Sequence, residues 1–207
     1  MNYLIIRTFE KDDWLASLCI NSWKKSGFNG QILIWSEDYK TKYLNDYKII
    51  KRDNVDNFMG QIGVKSIIKS LHHIDVKDDD KVIMCDADIV IKKNPLRGKY
   101  DIKGVGAIHA GYFHFNGECV IISGKFCNYV KSLNEKDIDV IIWNEMIDKL
   151  NSVISDGHFF SYIADRDKLE KKYCKNNWVH NKFYEYNDRL DYDEIIEKIK
   201  IDYPNER

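Results

Sequence analysis

Apolar positions along this chain fall into short blocks with two different spacings. Tyr3-Leu4-Ile5-Ile6, Gln31-Ile32-Leu33-Ile34-Trp35 and Lys81-Val82-Ile83-Met84-Cys85 are near-continuous apolar runs, the pattern of strands buried on both faces. The first is expected to run over residues 3–8 and end at Arg7-Thr8. Between the runs, residues 12–25 carry Trp14, Leu15, Leu18, Cys19 and Trp23 at helical spacing, with Asp12 or Asp13 as cap. Residues 61–73 repeat that spacing with Ile62, Ile67, Ile68 and Leu71, and Ile49-Ile50 predicts a weak further strand. Strands alternating with helices imply a parallel sheet covered on both faces. Ligands bind at the carboxyl ends of such strands, so Thr8, Ser36 and Asp86 are expected along one rim.

The second half has a different rhythm. Residues 104–109 and 113–123 read as strands, the second interrupted by Asn116-Gly117. Helices are expected at 124–133, 139–150 and 156–164, a last strand at Trp178-Val179-His180, and an amphipathic helix over 191–200. No repeat, low-complexity tract or Pro/Gly-rich linker divides the 207 residues, so one mixed α/β domain is the simplest reading. Residues 1–100 form its first half and 101–207 its second.

Composition narrows the classes. An apolar fraction of 44% fits a folded domain. A net charge of −1 argues against a duplex nucleic-acid partner. The five cysteines include no CxxC pair, so free thiols in a reducing compartment are expected, and a cytoplasmic location with them. The first residues do not read as a signal peptide, and no apolar run approaches the ~20 residues that span a bilayer.

The most informative stretch is Lys81-Val82-Ile83-Met84-Cys85-Asp86-Ala87-Asp88-Ile89-Val90-Ile91, where two carboxylates interrupt an otherwise apolar run. Buried charges are costly unless paired or metal-bound. Alternation along an extended chain places Asp86 and Asp88 on the same side. Their mutual repulsion is relieved by a cation between them, and hard oxygen ligands suit Mg²⁺ or Mn²⁺. A strand end with two solvated acids is the alternative.

This stretch resembles the DxD segment of GT-A glycosyltransferases, most closely the family 8-like group. Asp80-Lys81-Val82 before it and Asn94-Pro95-Leu96 after it resemble the "DKV … DADIVV … PL" run of those enzymes. The resemblance implies a GT-A domain: a Rossmann-like mixed sheet flanked by helices, binding a nucleotide-diphosphate sugar. By position, it implies ribose and metal contact for Asp86 and metal ligation for Asp88. It further implies a third metal ligand at His180 and a diphosphate contact at Lys182.

Phe113-His114-Phe115-Asn116-Gly117 is similar to the family's "FNSGV-apolar" segment, which implies donor-sugar contacts at Asn116 and Gly117, although Glu118 departs from it. A glycine-kinked hairpin explains the same residues. Ser155-Asp156-Gly157-His158 is similar to a "DQ" helix start in which Gly157 replaces the glutamine, leaving His158 or a neighbour to serve beside Asp156. An N-cap at Ser155 or Asp156 is the structural alternative. Lys65 matches a basic donor contact, with Gln61 one turn earlier, and Thr8 lies where the family reads the base. Glu145, an acid among apolar residues, either faces the acceptor or is solvated.

The implied activity is hexose transfer from a UDP-sugar to a carbohydrate or other hydroxyl acceptor with Mn²⁺ or Mg²⁺, retention being favoured. A sugar-nucleotide nucleotidyltransferase normally carries a glycine-rich loop after the first strand. Here that place reads Arg7-Thr8-Phe9-Glu10-Lys11. A silent binding protein on the same fold, and an enzyme that glycosylates modified DNA bases, are the other readings. Acceptor, nucleobase and oligomeric state are not legible.

Overall fold

The computed structural model describes residues 1–36, 43–51, 60–91, 93–109, 112–146, 155–174 and 178–180. The expected helix over 191–200 lies outside them. Strand β1 (Asn2–Arg7) leads through a 3₁₀ turn (Glu10–Asp12) into helix α1 (Asp13–Lys25). Asp12 is the N-cap residue of α1, and its side chain makes no cap hydrogen bond. Then come β2 (Gln31–Ser36), β3 (Lys48–Lys51), α2 (Gly60–Leu71), β4 (Lys81–Asp86) and the short β5 (Ile89–Ile91).

The second half contributes β6 (Ile102–His109), β7 (Tyr112–Ser123), α3 (Gly124–Ser132) and α4 (Glu135–Val140). A π-helical turn (Ile141–Met146) continues α4. Helix α5 (Asp156–Arg166), β8 (Lys171–Tyr173) and β9 (Trp178–His180) follow.

Seven strands form the main sheet in the order β3-β2-β1-β4-β7-β6-β8. The half built from β1 to β4 is parallel; β7 enters antiparallel to both β4 and β6, and β8 runs parallel to β6. This is the mixed α/β sheet that the apolar pattern implies. Strand alternation sorts the core into two layers. Tyr3, Ile5, Leu33, Trp35, Val82 and Met84 pack on one face with residues of α2, α3 and α5, such as Ile67, Phe126 and Phe160. Leu4, Ile6, Ile34, Ile83 and Cys85 pack on the other with Leu15, Cys19 and Trp23 of α1.

Two local expectations are corrected, and one further strand is found. The helix predicted over 139–150 is instead α4 running into the π turn, with residues beyond 146 outside the description. Ile141 and Met146, five apart, are both buried, the spacing a π turn provides and an α-turn does not. The edge strand β8 reads Lys-Lys-Tyr and has no apolar alternation to announce it. Finally, the chain does not continue extended through Asp88: residues 87–88 form a turn, and β5 leaves the main sheet to pair with β9.

All five cysteines are free and buried. No helix among the described residues is long and apolar enough to cross a membrane.

Candidate functional site

The carboxyl ends of β1, β2 and β4 meet at one rim, with Arg7 in register with Trp35 on one side and Asp86 on the other. The pairing extends one residue past the strands. Thr8 N–H donates to the Trp35 carbonyl at 3.2 Å, and Ala87 N–H donates to the Arg7 carbonyl at 3.1 Å. Ser36 Oγ donates to the Thr8 carbonyl at 2.9 Å. Thr8 and Ser36 are thus buried parts of the rim's frame, and Thr8 Oγ1 turns back to the Phe9 carbonyl at 3.2 Å.

Asp86 closes β4, and Asp88 follows in the turn. Asp88 thus sits in a turn rather than in an extended alternation with Asp86, and it is only 6% exposed. Burial pushes the Asp86 carboxyl well above the usual carboxylate range; Arg7 pulls it down, while Asp88 and Asp156 push it up again. One guanidinium thus faces two carboxylates, Asp86 and Asp156, and 37% of the Asp86 side chain remains exposed.

Ile89 pairs antiparallel with His180, which sets the His180 backbone beside the residue that follows Asp88. Among the described residues, no three His, Cys, Asp or Glu side chains form a complete metal cage. Two carboxylates nevertheless fit Mg²⁺ or Mn²⁺, which commonly takes one or two protein carboxylates and fills its shell with phosphate oxygens and water.

The resemblance puts Arg7, with Thr8 and Phe9, at the strand end where the nucleobase is read, and in the structure Arg7 is the residue the geometry centres on. Its Nε lies 2.7 Å from Asp86 Oδ1, its Nη1 donates to Asp156 Oδ2, and its Nη2 donates to the Gly117 carbonyl. Burial alone lowers a guanidinium's pKa; Asp156 and Asp86 more than reverse this, so the group stays charged. A lone arginine ending an apolar strand was the available signal, because a buried cation requires partners.

Asp156 reaches Arg7 because two glycines let α5 close on β7. A Cβ at Gly117 would lie 2.3 Å from Asp156 Oδ1, and one at Gly157 would lie 2.2 Å from the Phe115 carbonyl oxygen. Asp156 Oδ1 also accepts from Gly157 N–H at 2.8 Å. The helix start itself is a capping box. Ser155 Oγ accepts from His158 N–H at 3.4 Å, and Ser155 N–H donates to His158 Nδ1 at 3.2 Å. Ser155, not Asp156, is the cap. His158 is buried, and its ring stacks on that of His114 with centroids 3.7 Å apart.

The remaining predicted residues are placed less centrally. Glu145 sits in the π turn with Oε2 3.5 Å from Arg166 Nη1, and it also bonds Tyr162. Lys65 pairs with Asp139 at 2.6 Å. The backbones of Gln61 and Asn116 lie in α2 and β7, but their side chains are outside the description, as is the whole of Lys182.

No protein-family model matches the sequence, and no curated protein does. Solved structures do match. The galactosyltransferase LgtC, in complex with donor and acceptor sugar analogs, aligns with a TM-score of 0.50 at 11% identity, over 84% of this chain and 73% of its own. An active-site mutant of LgtC aligns with a TM-score of 0.52 at 12% identity, over 94% and 81%. The glycosyltransferase GlyE of Streptococcus pneumoniae TIGR4 aligns with a TM-score of 0.54 at 13% identity; 97% of this chain spans 50% of GlyE. In fold, the chain is similar to GT-A glycosyltransferases.

Proposed function

We propose that this protein is a metal-dependent glycosyltransferase that moves a hexose from a UDP-sugar to an acceptor hydroxyl. The observation that carries the reading is Asp86 and Asp88 at the carboxyl rim of the parallel strands, where Asp86 shares the one guanidinium of Arg7 with Asp156. Asp86 and Asp88 would hold Mn²⁺ or Mg²⁺, with His180 as a third ligand from β9. When bound, the cation neutralises charge that develops on the departing diphosphate. Lys182 adds a point charge near the diphosphate, whereas Lys65 already shares its charge with Asp139.

The nucleobase would lie at the rim beside Thr8, whose own N–H and carbonyl are already used within the frame. Gln61, Asn116 and Gly117 would contact the donor, as the resemblance implies. Retention is the favoured outcome. Asp156 accepts from Arg7 and from Gly157 N–H and is only 10% exposed, which leaves little of its carboxylate within reach of an acceptor hydroxyl. Transfer in which the departing phosphate takes that hydroxyl's proton needs no protein base. His158 supports the helix start that presents Asp156.

The Asp88→Asn variant tests the reading. It keeps the shape of the turn and removes the ligand charge. Donor hydrolysis in Mn²⁺ is expected to fall about 10²-fold or more with an unchanged melting curve, since metal-borne charge stabilisation is worth several kcal/mol. Unchanged hydrolysis would refute the assignment.

A further inference from the structure

We infer that Arg7 is a positioning residue, a three-pronged clamp that fixes Asp86 and Asp156 in the geometry that receives the metal–diphosphate group. The inference rests on the metal–diphosphate reading of Asp86 and Asp88.

Each prong ends on a different element. Nη1 donates to Asp156 at the head of α5 and Nη2 to the Gly117 carbonyl within β7, while Nε lies 2.7 Å from Asp86 Oδ1 at the end of β4 as an ion pair without hydrogen-bond alignment. The guanidinium thus joins the parallel half of the sheet to the antiparallel half and to the helix packed on it. Its rigid planar fork fixes two hydrogen bonds at once and holds Nε against Asp86, which a lysine ammonium on a flexible stem does not. The arrangement is enclosed: the side chains of Arg7 and Asp156 are 8% and 10% exposed, whereas Asp86 is 37% exposed. The clamp therefore takes one oxygen of Asp86 and leaves part of the same carboxylate accessible from solvent.

A carboxylate ligand held by a neighbouring group has its direction settled before the cation arrives, and loss of such a partner typically weakens metal binding or activity by about 10- to 100-fold. The glycines at 117 and 157 serve the same end. Any side chain at 157 would push the helix head away from β7, and one at 117 would displace Asp156 from the clamp.

Arg7→Lys separates geometry from charge, because it keeps the cation and loses the fork. Binding of Mn²⁺ with UDP is measured by calorimetry, and free Mn²⁺ by electron paramagnetic resonance, alongside kcat and KM for donor hydrolysis. The expected result is binding of Mn²⁺–UDP weakened about tenfold and kcat lowered by a similar factor or more, at a temperature where the variant is fully folded. Wild-type affinity in Arg7→Lys overturns the inference and leaves the transferase reading standing. Wild-type binding of Mn²⁺–UDP without turnover of any donor overturns the transferase reading, while the clamp is still decided by the binding data. No binding by the wild type contradicts both.

If Arg7→Lys does not fold, the double variant Arg7→Met/Asp156→Asn replaces it, since removing both charges leaves no uncompensated ion in that pair. The same weakening of about tenfold is expected, and unchanged affinity again overturns the clamp.

Discussion

Arg7 and Asp156, 149 residues apart in the chain, form a buried ion pair between the end of β1 and the head of α5. Removing one partner of such a pair leaves an uncompensated charge, which costs about 3–5 kcal/mol in a fully enclosed site. Arg7 retains Asp86 and the Gly117 carbonyl, so the cost belongs at the lower end. Asp156→Ala is expected to lower the unfolding free energy by about 3 kcal/mol in urea titrations at neutral pH. A loss below about 1 kcal/mol would mean that the pair behaves as a solvated one.

Gly157 offers a prediction whose sign runs against helix propensity. In an exposed helix interior, Gly→Ala stabilises by about 0.5–1 kcal/mol. Here the new Cβ would lie 2.2 Å from the Phe115 carbonyl oxygen and 2.7 Å from Gly117 N, both backbone atoms that cannot turn aside. Forced displacement of this kind costs about 1–3 kcal/mol, so packing outweighs propensity. Gly157→Ala is expected to melt below the wild type; a higher Tm would show that α5 does not close on β7 as described.

Asp80 provides a pH dependence. Burial works to raise its carboxyl pKa, but the Met1 ammonium and the Lys77 N–H, at 2.8 Å, outweigh it and hold the pKa below the ordinary 3.8. A carboxyl depressed in the folded state stabilises the protein above the unfolded pKa, and that contribution is lost as pH falls through the folded value. Asp80→Asn should therefore cost about 1–3 kcal/mol at pH 7. The gap between wild type and variant should close as the pH falls below about 4. A gap constant from pH 7 to pH 3 would contradict the assignment. Urea unfolding at a series of pH values measures it.

What the sequence reveals, and what it conceals, follows from the range of the interactions. Tyr3 to Ile6, Leu33 to Trp35 and Val82 to Cys85 are buried on both faces, so each announces its strand locally, and their alternation with helices carries the parallel half of the fold. Asp86 and Asp88 were legible as a pair because costly charges stood inside an apolar run, but their arrangement was not. The turn at 87–88 depends on β5 finding β9, a pairing with residues far along the chain. The clamp was invisible for the same reason: each partner of Arg7 comes from another element. Gly157 read as a missing catalytic amide in the sequence; in the structure it is the space that lets Phe115 and Gly117 approach the helix.

The most direct measurement of the central claim is nucleotide release from a panel of sugar nucleotides, with and without Mn²⁺ and after chelation. The account predicts release of UDP from at least one UDP-hexose, abolished by chelation and restored by added Mn²⁺, through the site built on Asp86 and Asp88. No release from any donor, together with no thermal shift by UDP and Mn²⁺, would contradict it.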